Sequence, residues 1–154
     1  MSARALDAFS NQNATTLPEL LTHQGAAALI LFWDSLNTPA GFRRVLQQLS
    51  ESSIRDQLEI YTVDTKRGFK SVHAAMEPHG IDIMGVCRCS STSSAWHRPS
   101  GVHLFDNIVA AVVANGNVRQ VTTAPQMTVR SFILEVSTVL SRTATGGSTS
   151  AAAV

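Results

Sequence analysis

Cys87 and Cys89 are the only thiols in the chain, and they flank Arg88. Downstream stand His97 and His103, with five residues between them. That histidine spacing suits zinc, but the cysteines of zinc sites are usually two to four residues apart, and here a single residue separates them. Two neighbouring thiols could instead form a displaced redox pair, since a thiolate near a disulfide is a nucleophile. Against both stands the plainer reading of two reduced thiols beside a serine-rich loop, so no metal and no cofactor is expected. His73 falls on a helical face and reads as a partly buried structural residue, and His23 reads as a helix-end residue. No Gly-x-Ser-x-Gly elbow anchors a hydrolase. The one Gly-rich stretch, Gly146-Gly147, precedes no helical pattern that could present backbone N–H groups to a phosphate.

The elements that would position such groups are legible. With 154 residues, 44% hydrophobic and 15% charged, the chain suits one globular domain with a sizeable core. A formal net charge of +1 offers no general attraction to nucleic acid or anionic lipid. The longest apolar run, residues 26–33, is far shorter than the ~20 residues of a membrane-spanning helix. No membrane insertion and no nucleic-acid partner are expected. Residues 1–10 lack the basic start and apolar stretch of a secretory signal; Arg4, Leu6 and Phe9 would suit a mitochondrial presequence, and Asp7 would not. With so few cysteines, a reducing intracellular compartment is the default, cytoplasmic or mitochondrial.

Residues 1–16 read as a loose arm or a short first helix, and a helical turn follows from Pro18 to Gly25. The run at 26–33 has the length and continuity of a strand buried on both faces. Thr38-Pro39 can open a helix, with a hydroxyl to cap and a proline at the first position. Phe42, Val45, Leu46 and Leu49 then share one helical face. Residues 58–63 form the next strand, and Phe69, Val72, His73 and Met76 repeat helical spacing until Pro78 and Gly80. Residues 84–107 are irregular and contain a Ser/Thr run at 90–94, then Trp96 and Phe105. Asn115-Gly116 between apolar runs signals a hairpin. Val129, Phe132, Ile133, Val136, Val139 and Leu140 mark a closing helix, and 143–154 read as a flexible tail.

This order, with Phe32-Trp33 closing the central strand, Val63-Asp64 closing the next and Asn115-Gly116 in the hairpin, resembles thioredoxin. The resemblance covers residues 17–142 and implies an α/β fold: a thioredoxin-like mixed sheet with helices on both faces and a long insertion before the C-terminal hairpin. Leu36-Asn37-Thr38-Pro39-Ala40 falls where the family carries Trp-Cys-Gly-Pro-Cys, so Asn37 and Ala40 occupy the two cysteine positions. Leu31 matches the family's buried aspartate, which assists deprotonation of the second thiol. Counting back from the hairpin sets Ile108 at the family's cis-proline. Thiolate, resolving thiol and proton acceptor would all be missing.

The resemblance therefore implies a redox-inactive domain serving as an interaction or assembly module, a subunit of a larger complex with protein partners. The partner surface is expected at Trp33, Leu36, Asn37, Thr38 and Pro39, the former active-site face, and at Trp96 and Phe105 of the long segment. The rival expectation is a divergent thiol oxidoreductase using Cys87 and Cys89.

Overall fold

A computed structural model describes residues 10–12, 17–22, 27–34, 40–87, 105, 108–124 and 126–144. Its elements run β1 (Ser10–Gln12), α1 (Leu17–Thr22), β2 (Ala28–Trp33), α2 (Ala40–Ser50), β3 (Glu59–Asp64), α3 (Phe69–Met76), β4 (Val109–Ala114), β5 (Asn117–Val121) and α4 (Val129–Ala144). Short 3-10 turns occupy Ser53–Asp56, Thr65–Arg67, Glu77–His79 and Met84–Cys87. The strands form one five-stranded sheet in the order β1-β3-β2-β4-β5. β2 lies parallel to β3, antiparallel to β4, and central in the sheet.

The centre of the sheet is explained by β2's composition. All six of its residues are buried, and successive side chains go to opposite faces. Leu29, Leu31 and Trp33 join a core with α2 and α4 through Phe42, Val45, Phe132 and Val136. Ala28, Ile30 and Phe32 join a second core with α1 and α3 through Leu17, Leu21, Val72 and Met76. A strand covered on both faces has no polar side to show water, which is why its sequence is a run rather than an alternation. The helical face expected from Phe42, Val45, Leu46 and Leu49 is wholly buried.

Local chemistry sets the boundaries. Asn115 and Gly116 adopt φ of 53° and 77°, the left-handed pair that a two-residue hairpin requires. Gly80, at φ 75°, closes the turn after α3, where Pro78 cannot continue the helix. Thr128 Oγ1 accepts the N–H of Ser131 at 3.0 Å, capping α4.

Three sequence expectations are corrected. Residues 10–12 are neither loose nor helical: they pair in parallel with Tyr61, Thr62 and Val63 of β3. The irregular stretch beginning at 84 is not wholly an insertion outside the core, because Val86 packs into the α1/α3 core and Phe105 into the α2/α4 core, while Met84 projects. The tail begins later than residue 143, since α4 continues to Ala144 and Thr143 is fully buried, its hydroxyl donating to Val139 O.

β3 also supplies a titration that reports on its surface. Tyr61 O–H donates to Glu59 Oε1 two residues away on the same face. That hydrogen bond, then partial burial, then the negative charge of Glu59 push the phenol up to about 12. The bond favours the protonated phenol, so it is intact at neutral pH and lost as pH rises through that value. Tyr61 is the only tyrosine in the chain. A near-ultraviolet absorbance titration is expected to show one phenol with a midpoint near 12, moving down toward ~10 in Glu59→Gln. An unchanged midpoint in that variant would remove Glu59 as the cause.

Candidate functional site

The site implied by the sequence lies where β2 ends and α2 begins. Trp33 is the last residue of β2 and pairs with Asp64 of β3 on one side. On the other side the β2–β4 ladder ends at Phe32↔Val109, and one further step of the same register sets Ile108 opposite Trp33. Asp64, Trp33 and Ile108 thus form a row across three strands at the carboxyl end of β2. In open α/β sheets this is the end where ligands and partners meet the chain.

Trp33 sits with its ring stacked on Phe42 of α2, centroids 4.4 Å apart and planes 18° from parallel. Stacking of this kind adds ~0.5–1.5 kcal/mol beyond the buried area. The carbonyl of Trp33 accepts the buried hydroxyl of Thr65 at 3.0 Å, which fixes the start of the turn after β3 to the end of β2. Asp64 caps that turn, its Oδ1 accepting Lys66 N–H at 3.0 Å. The indole Nε1 of Trp33 is buried and has no hydrogen-bond partner among the described residues.

Leu31 lies two residues back on the same face as Trp33, fully buried, within the core that contains Phe42 and Val45 of α2. The position that the resemblance assigns to a proton acceptor therefore sits in hydrocarbon beneath α2. Ile108 directly precedes β4 and is 3% exposed. Its carbonyl accepts the hydroxyl of Thr123 at 3.2 Å, and its N–H faces Phe105 O at 3.4 Å. Leu31, Trp33 and Ile108 thus lie together in one core.

Two residues assigned to the partner surface are elsewhere. Phe105 is 2% exposed, with its ring 4.7 Å from Phe132 of α4. Burial of a large ring is worth ~1.5–3 kcal/mol, and the domain's own core takes that gain. Trp33 is 8% exposed, so it backs the face rather than forming it. Ala40 is the first residue of α2. Leu36, Asn37, Thr38, Pro39 and Trp96 lie outside the described residues, as do His23, Cys89, His97 and His103. Cys87 ends the Met84–Cys87 turn. His73 is half-buried and stacked on Phe69 at 6.0 Å, in keeping with a structural role. Among the described residues no group of three or more His, Cys, Asp or Glu could hold a metal, and no helix is long and apolar enough to cross a membrane.

What reading the sequence missed is a concave surface away from the Trp33 end. A cavity of about 280 Å³ lies along the outer edge of β5, with Arg119, Arg142, His79 and Glu135 among its lining residues. The signal available was Arg119 inside an otherwise regular strand, too common a feature to single out.

No protein-family model matches the sequence, and no curated protein matches it. Among solved structures it is similar to the first two thioredoxin domains of Saccharomyces cerevisiae Eps1p, with 14% identity, a TM-score of 0.48 and 84% of this chain covered. The chain spans about half of that one, 51% of its length. The fold itself is decided by the chain's own connectivity: a parallel β2–α2–β3 unit, an antiparallel β4–β5 hairpin joined to the far side of β2, and a closing helix. The fold is thioredoxin-like. Helices on both faces of the mixed sheet complete the architecture expected from the sequence.

Proposed function

We propose that this thioredoxin-like domain is redox-inactive and serves as an interaction module, with its partner surface on the face formed by the carboxyl end of β2 and the start of α2. The observation that carries the reading is the placement of Leu31. A thioredoxin-type mechanism needs a group beneath the motif helix to take the proton of the resolving thiol, and an aliphatic side chain in a dry core cannot do so. Asn37 and Ala40, which match the cysteine positions, offer no thiol. The face retains the means of holding a shape: the Trp33–Phe42 stack and the Thr65–Trp33 hydrogen bond fix β2, α2 and the turn after β3 relative to one another. Scaffolds outlast the sites they carry, so a fixed face without chemistry suits recognition.

Two measurements test this. The wild-type chain is expected to leave insulin disulfides intact, and Asn37→Cys with Ala40→Cys is expected to raise reduction barely above background. Robust reduction by the unmutated chain, abolished by Cys87→Ser, would establish an oxidoreductase instead. Affinity purification from the native source is expected to recover a partner that Asn37→Arg and Pro39→Glu lose, with the melting temperature of each variant unchanged. Equal recovery by both variants would move the partner surface away from this face.

A further inference from the structure

Among the described residues, the outer edge of β5 presents open backbone, two guanidiniums and a cavity in one place. The hairpin loop has two residues, so Ala114 and Asn117 flanking it exchange both of their backbone bonds. Bonding then alternates along β5, and Asn117, Arg119 and Val121 turn their N–H and C=O groups toward β4. Val118 and Gln120 turn theirs outward. No backbone bond satisfies those outward groups among the described residues, and the cavity of about 280 Å³ lies over both residues.

The side chains around that edge are sorted by face. Arg119 is paired with Val112, whose side chain enters the α2/α4 core, so Arg119 stands on the α4 side with Arg142 and Glu135. Val118 packs against the opposite core, and beside it are His79 and the buried Ile81. Gln120 Oε1 accepts Asp82 N–H at 3.2 Å, and the Asp82 carboxylate is itself tied to Met84 N–H at 2.9 Å. Neither guanidinium is held in an ion pair among the described residues. Two guanidiniums and one carboxylate, Glu135, therefore line the cavity on the α4 side of a row of open backbone donors and acceptors, with the Asp82 carboxylate on the other side already tied to Met84 N–H.

We propose that β5 is a strand-addition site for an extended acidic segment of a partner protein, with carboxylates at alternate positions toward Arg119 and Arg142 and aliphatic side chains between them toward Val118. Strand addition takes affinity from main-chain hydrogen bonds and specificity from the alternate side chains. An exposed sheet edge is a ready template for such pairing. A second copy of this chain fits poorly, because antiparallel β5–β5 pairing would bring two Arg119 residues to one seam, and like charges across strands repel. The site is separate from the Trp33 face and does not rest on its reading.

The test uses the full chain, isotopically labelled, and an end-blocked heptapeptide of alternating glutamate and valine. Saturable amide shifts are expected at Val118, Gln120 and Thr122, with none at the Trp33 end. A glutamine-for-glutamate peptide and the Arg119→Glu, Arg142→Glu double variant should each bind at least tenfold more weakly. A peptide N-methylated at alternate positions keeps its charges and loses its strand donors; it should not bind, and it reports on backbone pairing without altering the fold. Gln120→Pro removes one outward N–H and should have the same effect. No saturable shift, equal binding of the N-methylated peptide, or equal binding of the glutamine peptide would overturn the proposal. A concentration-dependent dimer with the same amide shifts would assign the edge to a second copy and also overturn it.

Discussion

Phe105→Ala is expected to lower the melting temperature of the isolated chain by on the order of 10 °C. The ring is buried against Phe132, and truncating a buried phenylalanine costs about 3–5 kcal/mol through lost transfer energy and an unfilled cavity. For a chain of this size each kcal/mol corresponds to roughly 2–4 °C. Phe105→Leu, which fills most of the space, should recover more than half of the loss. Differential scanning calorimetry measures both. A shift of only a degree or two for Phe105→Ala would mean that the ring is exposed in solution and available to a partner after all. The outcome separates a core anchor from a recognition residue.

Leu31→Asp is expected to be more damaging, costing at least about 4 kcal/mol at neutral pH, from lost packing and a carboxylate placed in a dry core. Burial disfavours the charged form, so the folded-state pKa of the introduced acid would rise above its unfolded value of ~3.9. The charge penalty is therefore absent below the unfolded value and grows as pH rises through the folded one. The stability gap between wild type and Leu31→Asp should narrow at acid pH, whereas the gap for Leu31→Asn should not. Denaturant midpoints at two pH values decide it. Equal gaps for the aspartate variant at both values would show that residue 31 is not desolvated in the folded chain.

How far the sequence could be read depended on what each element needs from its side chains. β2 and α2 were legible because their positions demand hydrocarbon: a doubly covered strand is a run, and a one-sided helix is a stripe. The hairpin was legible because its turn demands positive φ, which Asn115 and Gly116 tolerate. β1 was not, because Ser10, Asn11 and Gln12 join the sheet by backbone pairing at an edge, and polar side chains there carry no periodic signal. Phe105 was misplaced for a related reason. It sits apart from any periodic pattern, and only the fold brings it onto Phe132. At the candidate site, Leu31 and Ile108 could be positioned because residue counting along β2 and back from the hairpin is rigid. The β5 edge could not be found that way, since its open donors and acceptors belong to the backbone and no residue type announces them.

The central position of β2 also bears on how this chain fails. The hairpin and α4 are contiguous in sequence and can form from local contacts, whereas β2 must wait for two separate partners, β3 and β4, reached through longer connections. Until both arrive, Ala28–Trp33 is a six-residue apolar segment without charge or proline, the composition that stacks readily into intermolecular strands. The Asp34 that follows is its one adjacent charged residue. Variants that weaken the core should accordingly be lost to aggregation on heating and recover poorly on cooling, and their expression in cells should fall more steeply than their equilibrium stability alone requires.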